Sequence, residues 1–127
     1  MKKVIVAIQN TLVCEAVTNA LKNAGFFVEK SLSQDPDNIA AACGLFFADV
    51  LLMDAGRPTE KSFDRRMETV LRSRKQAPSL KAGLLCDNVS DPEIAQRVKQ
   101  AMETGLIDIF FYESVQTDYL CDVVDSL

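Results

Sequence analysis

Asp54 is the residue best placed to do chemistry. It ends the apolar run in Ala48-Asp49-Val50-Leu51-Leu52-Met53-Asp54-Ala55-Gly56-Arg57-Pro58. A run that short, apolar on both phases, suits a strand covered on both faces, as at the centre of a parallel sheet. A carboxylate directly after it stands at the strand's carboxyl end, where open α/β sheets place their ligands. Gly56 and Pro58 then force a turn. Asp54 can therefore serve a ligand, or it can simply end the strand and cap the turn. On this stretch alone the second role is the simpler.

Other chemistries are excluded by composition. The chain has no histidine, which rules out a Ser-His-Asp triad, a Cys-His pair and any His-ligated metal. Cys14, Cys43, Cys86 and Cys121 lie far apart, so no zinc knuckle or redox pair is suggested. Each has apolar neighbours and is expected to pack as a small hydrophobe. No glycine-rich phosphate loop is present, which argues against nucleotide binding in those modes.

The elements that must position Asp54 follow from periodicity. Lys3 to Ile8 is β-branched and apolar, a buried strand. Gln9-Asn10-Thr11 can cap the helix that follows. Its apolar face is Leu12, Val13, Ala16, Val17, Ala20, Leu21 and Ala24, with Gly25 where a helix-terminating glycine belongs. Phe26-Phe27-Val28 opens a second strand. Asp35-Pro36 reads as a cap and first-turn proline, and Ile39, Cys43, Phe46 and Phe47 give the second helix its apolar face. The third strand leads to Asp54. Thr59 to Gln76 places Phe63, Met67, Val70 and Leu71 at helical spacing. Leu80 to Cys86 is a fourth strand. Ser90-Asp91-Pro92-Glu93 starts a helix carrying Ile94, Ala95, Val98, Ala101 and Met102, which Gly105 ends. Leu106 to Tyr112 is a fifth strand, and Leu120, Val123, Val124 and Leu127 suit a last helix. Strands alternating with helices imply a parallel sheet covered on both faces.

The 127 residues suit one domain, 1–127, with 48% hydrophobic and 25% charged residues as in soluble globular proteins. The apolar runs are too short to span a bilayer, and Val4 to Ile8 is too short for a signal-peptide core. A cytoplasmic protein without membrane contact is expected. The net charge of -4 gives no global attraction to nucleic acid, so no direct binding to it is expected. Charge is uneven. Lys61 to Lys81 holds seven cations against Asp64 and Glu68, while after Lys99 only acids occur: Glu103, Asp108, Glu113, Asp118, Asp122 and Asp125. Two solvated helix faces of opposite sign are the preferred reading, and a charged docking surface the alternative.

Over nearly its whole length the chain resembles the receiver domain of two-component response regulators. The matching pieces are Lys3-Val4-Ile5-Val6, Ala24-Gly25-Phe26, Asp49-Val50-Leu51-Leu52-Met53-Asp54 with Pro58 four residues on, and Ala101 with Gly105. The resemblance implies a flavodoxin-like (βα)5 fold with strand order 2-1-3-4-5. It also maps Asp54 onto the aspartate that accepts a phosphoryl group from a kinase phosphohistidine. Family chemistry needs Mg²⁺ to offset phosphoryl charge. Here Asp54 and the backbone of Gly56 would be its remaining protein contacts.

The chain departs from the family at the other working positions. The acidic pair after the first strand falls on Ile8 and Gln9, or on Gln9 and Asn10, and no Asp or Glu occurs before Glu15. The lysine ending the fifth strand falls on Tyr112, with Glu113 after it. The hydroxyl residue ending the fourth strand is Cys86, and the aromatic that swings on activation is Ile109. The resemblance therefore points to a degenerate, pseudo-receiver domain. It would be an interaction module rather than an enzyme, with no cofactor and at most weak Mg²⁺ binding. Its partners would be signalling proteins, or a second copy, meeting the face formed by the fourth helix, fifth strand and fifth helix. Two alternatives stand beside this. One is a working receiver phosphorylated on Asp54, with help relocated to Asp87. The other is an unrelated flavodoxin-like enzyme or cofactor binder. With no acidic cluster around it, Asp54→Asn is expected to change stability by no more than about 0.5 kcal/mol.

Overall fold

A computed structural model of the protein describes residues 2–55, 60–87 and 92–127. Five strands alternate with five helices: β1 (Lys3–Ala7), α1 (Thr11–Asn23), β2 (Phe27–Lys30), α2 (Pro36–Phe46), β3 (Val50–Asp54), α3 (Glu60–Gln76), β4 (Lys81–Cys86), α4 (Pro92–Glu103), β5 (Ile109–Tyr112) and α5 (Thr117–Ser126). All four strand pairings are parallel, and the order is β2-β1-β3-β4-β5. The alternation implied the parallel sheet, and the resemblance implied this flavodoxin-like order. Among the described residues no helix is long and apolar enough to cross a membrane.

The strand pleat sorts the core into two layers. Val4, Val6, Val50 and Leu52 point to one face, where they pack with Val17 and Leu21 of α1 and Leu120 and Val124 of α5. Ile5, Ala7, Leu51 and Met53 point to the other, against residues of α2, α3 and α4. β3 is buried from end to end, as its unbroken apolar run requires.

Local signals act where expected. Asn10 Oδ1 accepts from the backbone N–H of Val13 at 3.2 Å, and Asp35 Oδ1 accepts from those of Asp37 and Asn38 at 2.9 and 3.3 Å. Gly25 (φ 98°) and Gly105 (φ 82°) follow α1 and α4 in the left-handed conformation. The turn at Gly56 and Pro58 and the start signal at Ser90 and Asp91 lie outside the described residues.

Several edges and faces differ from expectation. Ile8 falls just after β1, Phe26 before β2 and Leu80 before β4, while Leu106 to Asp108 precede β5. In that last segment the backbone N–H of Asp108 still donates to the Ala82 carbonyl at 2.9 Å, and Asp108 Oδ2 accepts in return from the N–H of Ala82 at 2.8 Å and from Arg74 at 2.7 Å. Leu12 (83% exposed), Phe47 (76%), Leu71 and Met102 point outward, although periodicity put them inside. For Phe47 the cause is its backbone. At φ 55° its N–H closes α2 onto the carbonyls of Cys43 and Gly44, which turns the ring to solvent near the Lys3 ammonium. On α3 the buried sector is rotated towards α2, so Arg66, Thr69 and Ser73 are buried and Leu71 is not.

Candidate functional site

The carboxyl ends of the strands lie level. Ala7 pairs with Met53, Asp54 with Leu85, and Cys86 with Tyr112. Asp54 thus sits at the centre of the sheet's edge, and only 9% of it is exposed.

Its partner is a cation from within the chain. Arg66 is 4% exposed, and its Nη2 lies 2.5 Å from Asp54 Oδ1. The same nitrogen donates to Gln34 Oε1 at 2.6 Å, and Nη1 lies 4.0 Å from the sulfur of Met53. Asp54 Oδ2 accepts a long hydrogen bond, 3.4 Å, from the backbone N–H of Gln9. One guanidinium thereby joins α3, the end of β3 and the segment before α2. Removed from water, such a pair holds only while both charges are present, since either alone is an uncompensated buried charge. A cavity of about 210 Å³ opens beside it, lined by Gln9, Gln34, Asp35, Ser62, Arg65 and Arg66.

This corrects the expectation of a fully solvated basic face. Arg66 points inward. Arg65, Arg72 and Arg74 point outward but reach acids: Asp35 at 3.9 Å, Asp37 and Glu68 at 2.7 and 2.5 Å, and Asp108 at 2.7 Å. Sequence reasoning missed Arg66, yet a signal existed. Phe63, Arg66, Val70 and Ser73 recur at three- and four-residue spacing, so Arg66 lies on the buried stripe.

The other expected site residues gather unevenly around Asp54. Ile8 is buried in the layer under α1 and α5. Gln9 contributes its backbone, and the Asn10 side chain is used as the α1 cap. Cys86 is buried at the end of β4, and its thiol is pushed up to about 11, first by burial and then by Glu113 and Asp87. Tyr112 is half-exposed, with its ring edge-on to Phe110 at 5.6 Å. Ile109 packs over Gly83. A Cβ there would stand 2.8 Å from Leu52 and 3.0 Å from Ile109, so this contact requires glycine. Gly56 lies outside the described residues.

Glu113 is a further member that the sequence did not single out. Its carboxyl is pushed up by burial, then by the charges of Asp87 and Asp54. The three acids do not converge as ligands. Among the described residues no group of three acidic, cysteine or histidine side chains could hold a metal ion. Chemically, the edge holds a carboxylate already neutralised by an internal cation, flanked by acids and a protonated thiol.

No family model matches the chain, and no curated protein is significantly similar to it. Solved structures are similar in fold. A CheY-like protein, TadZ, from Pseudomonas aeruginosa PAO1 superposes with a TM-score of 0.75 at 14% identity, covering 99% of this chain and 98% of that one. A CheY-like response regulator receiver domain protein from Methanospirillum hungatei JF-1 gives 0.75 at 14%, covering 99% and 92%. A response regulator receiver domain protein from Clostridium thermocellum gives 0.74 at 15%, covering 99% and 93%. The chain has the fold of receiver domains.

Proposed function

We propose that the chain is a receiver-like signalling domain of two-component type in which Asp54 no longer serves as phosphoacceptor. It works as a protein-interaction module with little or no Mg²⁺-dependent phosphorylation. The observation that carries this reading is the buried Arg66–Asp54 pair. A phosphoryl group entering on Asp54 needs a divalent cation held by carboxylate oxygens. Here Ile8, Gln9 and Asn10 supply none, and the guanidinium repels a second cation from the one carboxylate present. Tyr112 brings no positive charge for the incoming phosphoryl oxygens.

The partner face in this reading is α4–β5–α5. Its elements expose Glu103 and Glu113 beside Met102, Leu106, Tyr112 and Tyr119, while Asp118 and Asp122 of α5 line the groove with α1. Acids around half-exposed apolar groups suit a basic partner surface. The rotating aromatic that couples a receiver's aspartate to this face has no counterpart, since Ile109 is β-branched and stiff. The face therefore keeps one conformation.

Incubation with Mg²⁺ and an acyl phosphate, read by intact mass, tests the proposal. The expected product is the unmodified chain. A phosphoryl adduct that disappears in Asp54→Asn would overturn it. NMR spectra with beryllofluoride and Mg²⁺ give a second readout, with no shift changes expected to spread from Asp54 through Cys86 to Ile109 and Tyr112.

A further inference from the structure

Helices α1 and α5 cover one face of the sheet, both packed on Val4, Val6, Val50 and Leu52. Each follows a strand of a parallel sheet and runs back along it, so the two lie side by side in the same sense. A groove of about 760 Å³ is left between them. Its α1 wall is Ala16, Ala20 and the capping Ala24, at helical spacing, with Ala16 and Ala24 exposed. Its α5 wall carries the exposed Asp118 and Asp122, with the buried Cys121 between them. From Ala16 to Ala24 the groove runs for about 12 Å, more than two helical turns.

Nothing within the chain neutralises that wall. Among the described residues Asp118 and Asp122 make no ion pair, and no cation lines the groove. The cations of α1 and β2 act elsewhere. Lys30 pairs with Glu15 at 2.5 Å and, with Lys22, holds that carboxyl below its ordinary range. The two acids do bear on the groove itself, since the Cys121 thiol is pushed up first by burial and then by Asp118 and Asp122. One wall is therefore negative, and the other is smooth and uncharged.

We infer that the α1–α5 groove receives a cationic amphipathic helix of a partner protein. The apolar stripe of that helix packs on the three alanines, which let its backbone come close, and its lysines or arginines lie over Asp118 and Asp122. An extended segment would find no backbone partner here, because the groups of both helices are already bonded along their own axes. A second copy on the same groove would set acids against acids, and nucleic acid or an anionic membrane would be repelled as well. The contact uses neither Asp54 nor α4 and β5, so it stands or fails separately from the function proposed above.

Calorimetric titration of the full chain with a synthetic amphipathic leucine–lysine peptide, followed by NMR, tests the contact. Binding is expected, with shift changes gathered at Ala16, Ala20, Ala24 and Cys121. Asp118→Asn/Asp122→Asn should weaken it about tenfold, as two exposed charge contacts allow. Glu29→Gln/Glu93→Gln removes the same charge from exposed positions elsewhere and should leave the constant near that of the wild type. Ala20→Arg, which puts a cation into the groove, should abolish binding with an unchanged circular dichroism spectrum. No binding at millimolar peptide, equal weakening by the two double variants, a leucine–glutamate peptide that binds as well, or shift changes gathered on α4 and β5 would overturn the inference. So would a self-association of the chain that Ala20→Arg removes.

Discussion

Arg66 reaches Asp54 across twelve positions of the chain, with Nη2 2.5 Å from Oδ1 and both side chains nearly out of water. The central carboxylate of the sheet edge thus carries its own counter-ion. The pair also joins α3 to β3, so it bears on stability as well as on chemistry.

Breaking the pair is expected to be costly, contrary to the small effect that the sequence implied for Asp54→Asn. Arg66→Ala leaves a buried carboxylate unpaired and should destabilise by about 3–5 kcal/mol. Asp54→Asn keeps an acceptor oxygen for Arg66 but leaves its buried charge uncompensated, so its cost should also be about 3–5 kcal/mol. Urea denaturation of the single and double variants measures the coupling. Strictly additive effects would show that the two groups do not depend on each other.

Removing the cation should not by itself make a metal site, because Asp54, Asp87 and Glu113 do not converge as ligands. Millimolar Mg²⁺ should raise the Tm of Arg66→Gln no more than that of the wild type. A larger shift in the variant would show that Arg66 alone keeps a divalent cation from Asp54.

Glu113 provides a pH test. Burial, Asp87 and Asp54 raise its folded-state pKa above the ordinary 4.5. Between those two values the folded chain binds the proton more tightly than the unfolded chain, so stability falls as pH rises through that window. Glu113→Gln should therefore be more stable than wild type at neutral pH, with the gain vanishing below about pH 4.5. Urea midpoints on either side of the window decide this, and a difference that does not change with pH would refute it.

The four thiols should be inert in the folded protein. All are buried, and burial pushes both Cys43 and Cys86 up to about 11. The thiolate is the reactive form. Alkylation at neutral pH should therefore track unfolding, with full labelling in denaturant. Rapid labelling of any one cysteine under native conditions would reveal a local opening at that site.

The sequence by itself determined the order of elements and the parallel sheet, while the strand order was legible only through the receiver resemblance. Helical and strand periodicities are local properties, and in Val50 to Met53, Ala24-Gly25 and Asp35-Pro36 they agree with the caps and turns around them. It also determined that Asp54 ends the central strand and that no acid precedes Glu15, both of which are matters of counting. Tertiary structure alone decided where Arg66 points. A cation in an amphipathic helix reads as solvated by default, because burying it is costly unless an opposite charge waits in the interior. That charge is twelve residues away on a strand, and only the packing of α3 beside α2 rotates the arginine towards it. The same packing turned Leu71 outward, and the left-handed close of α2 turned out Phe47. Leu45 is left bare on α2. The seating of one helix against another, and a backbone turn at a helix end, are what a one-dimensional pattern does not record.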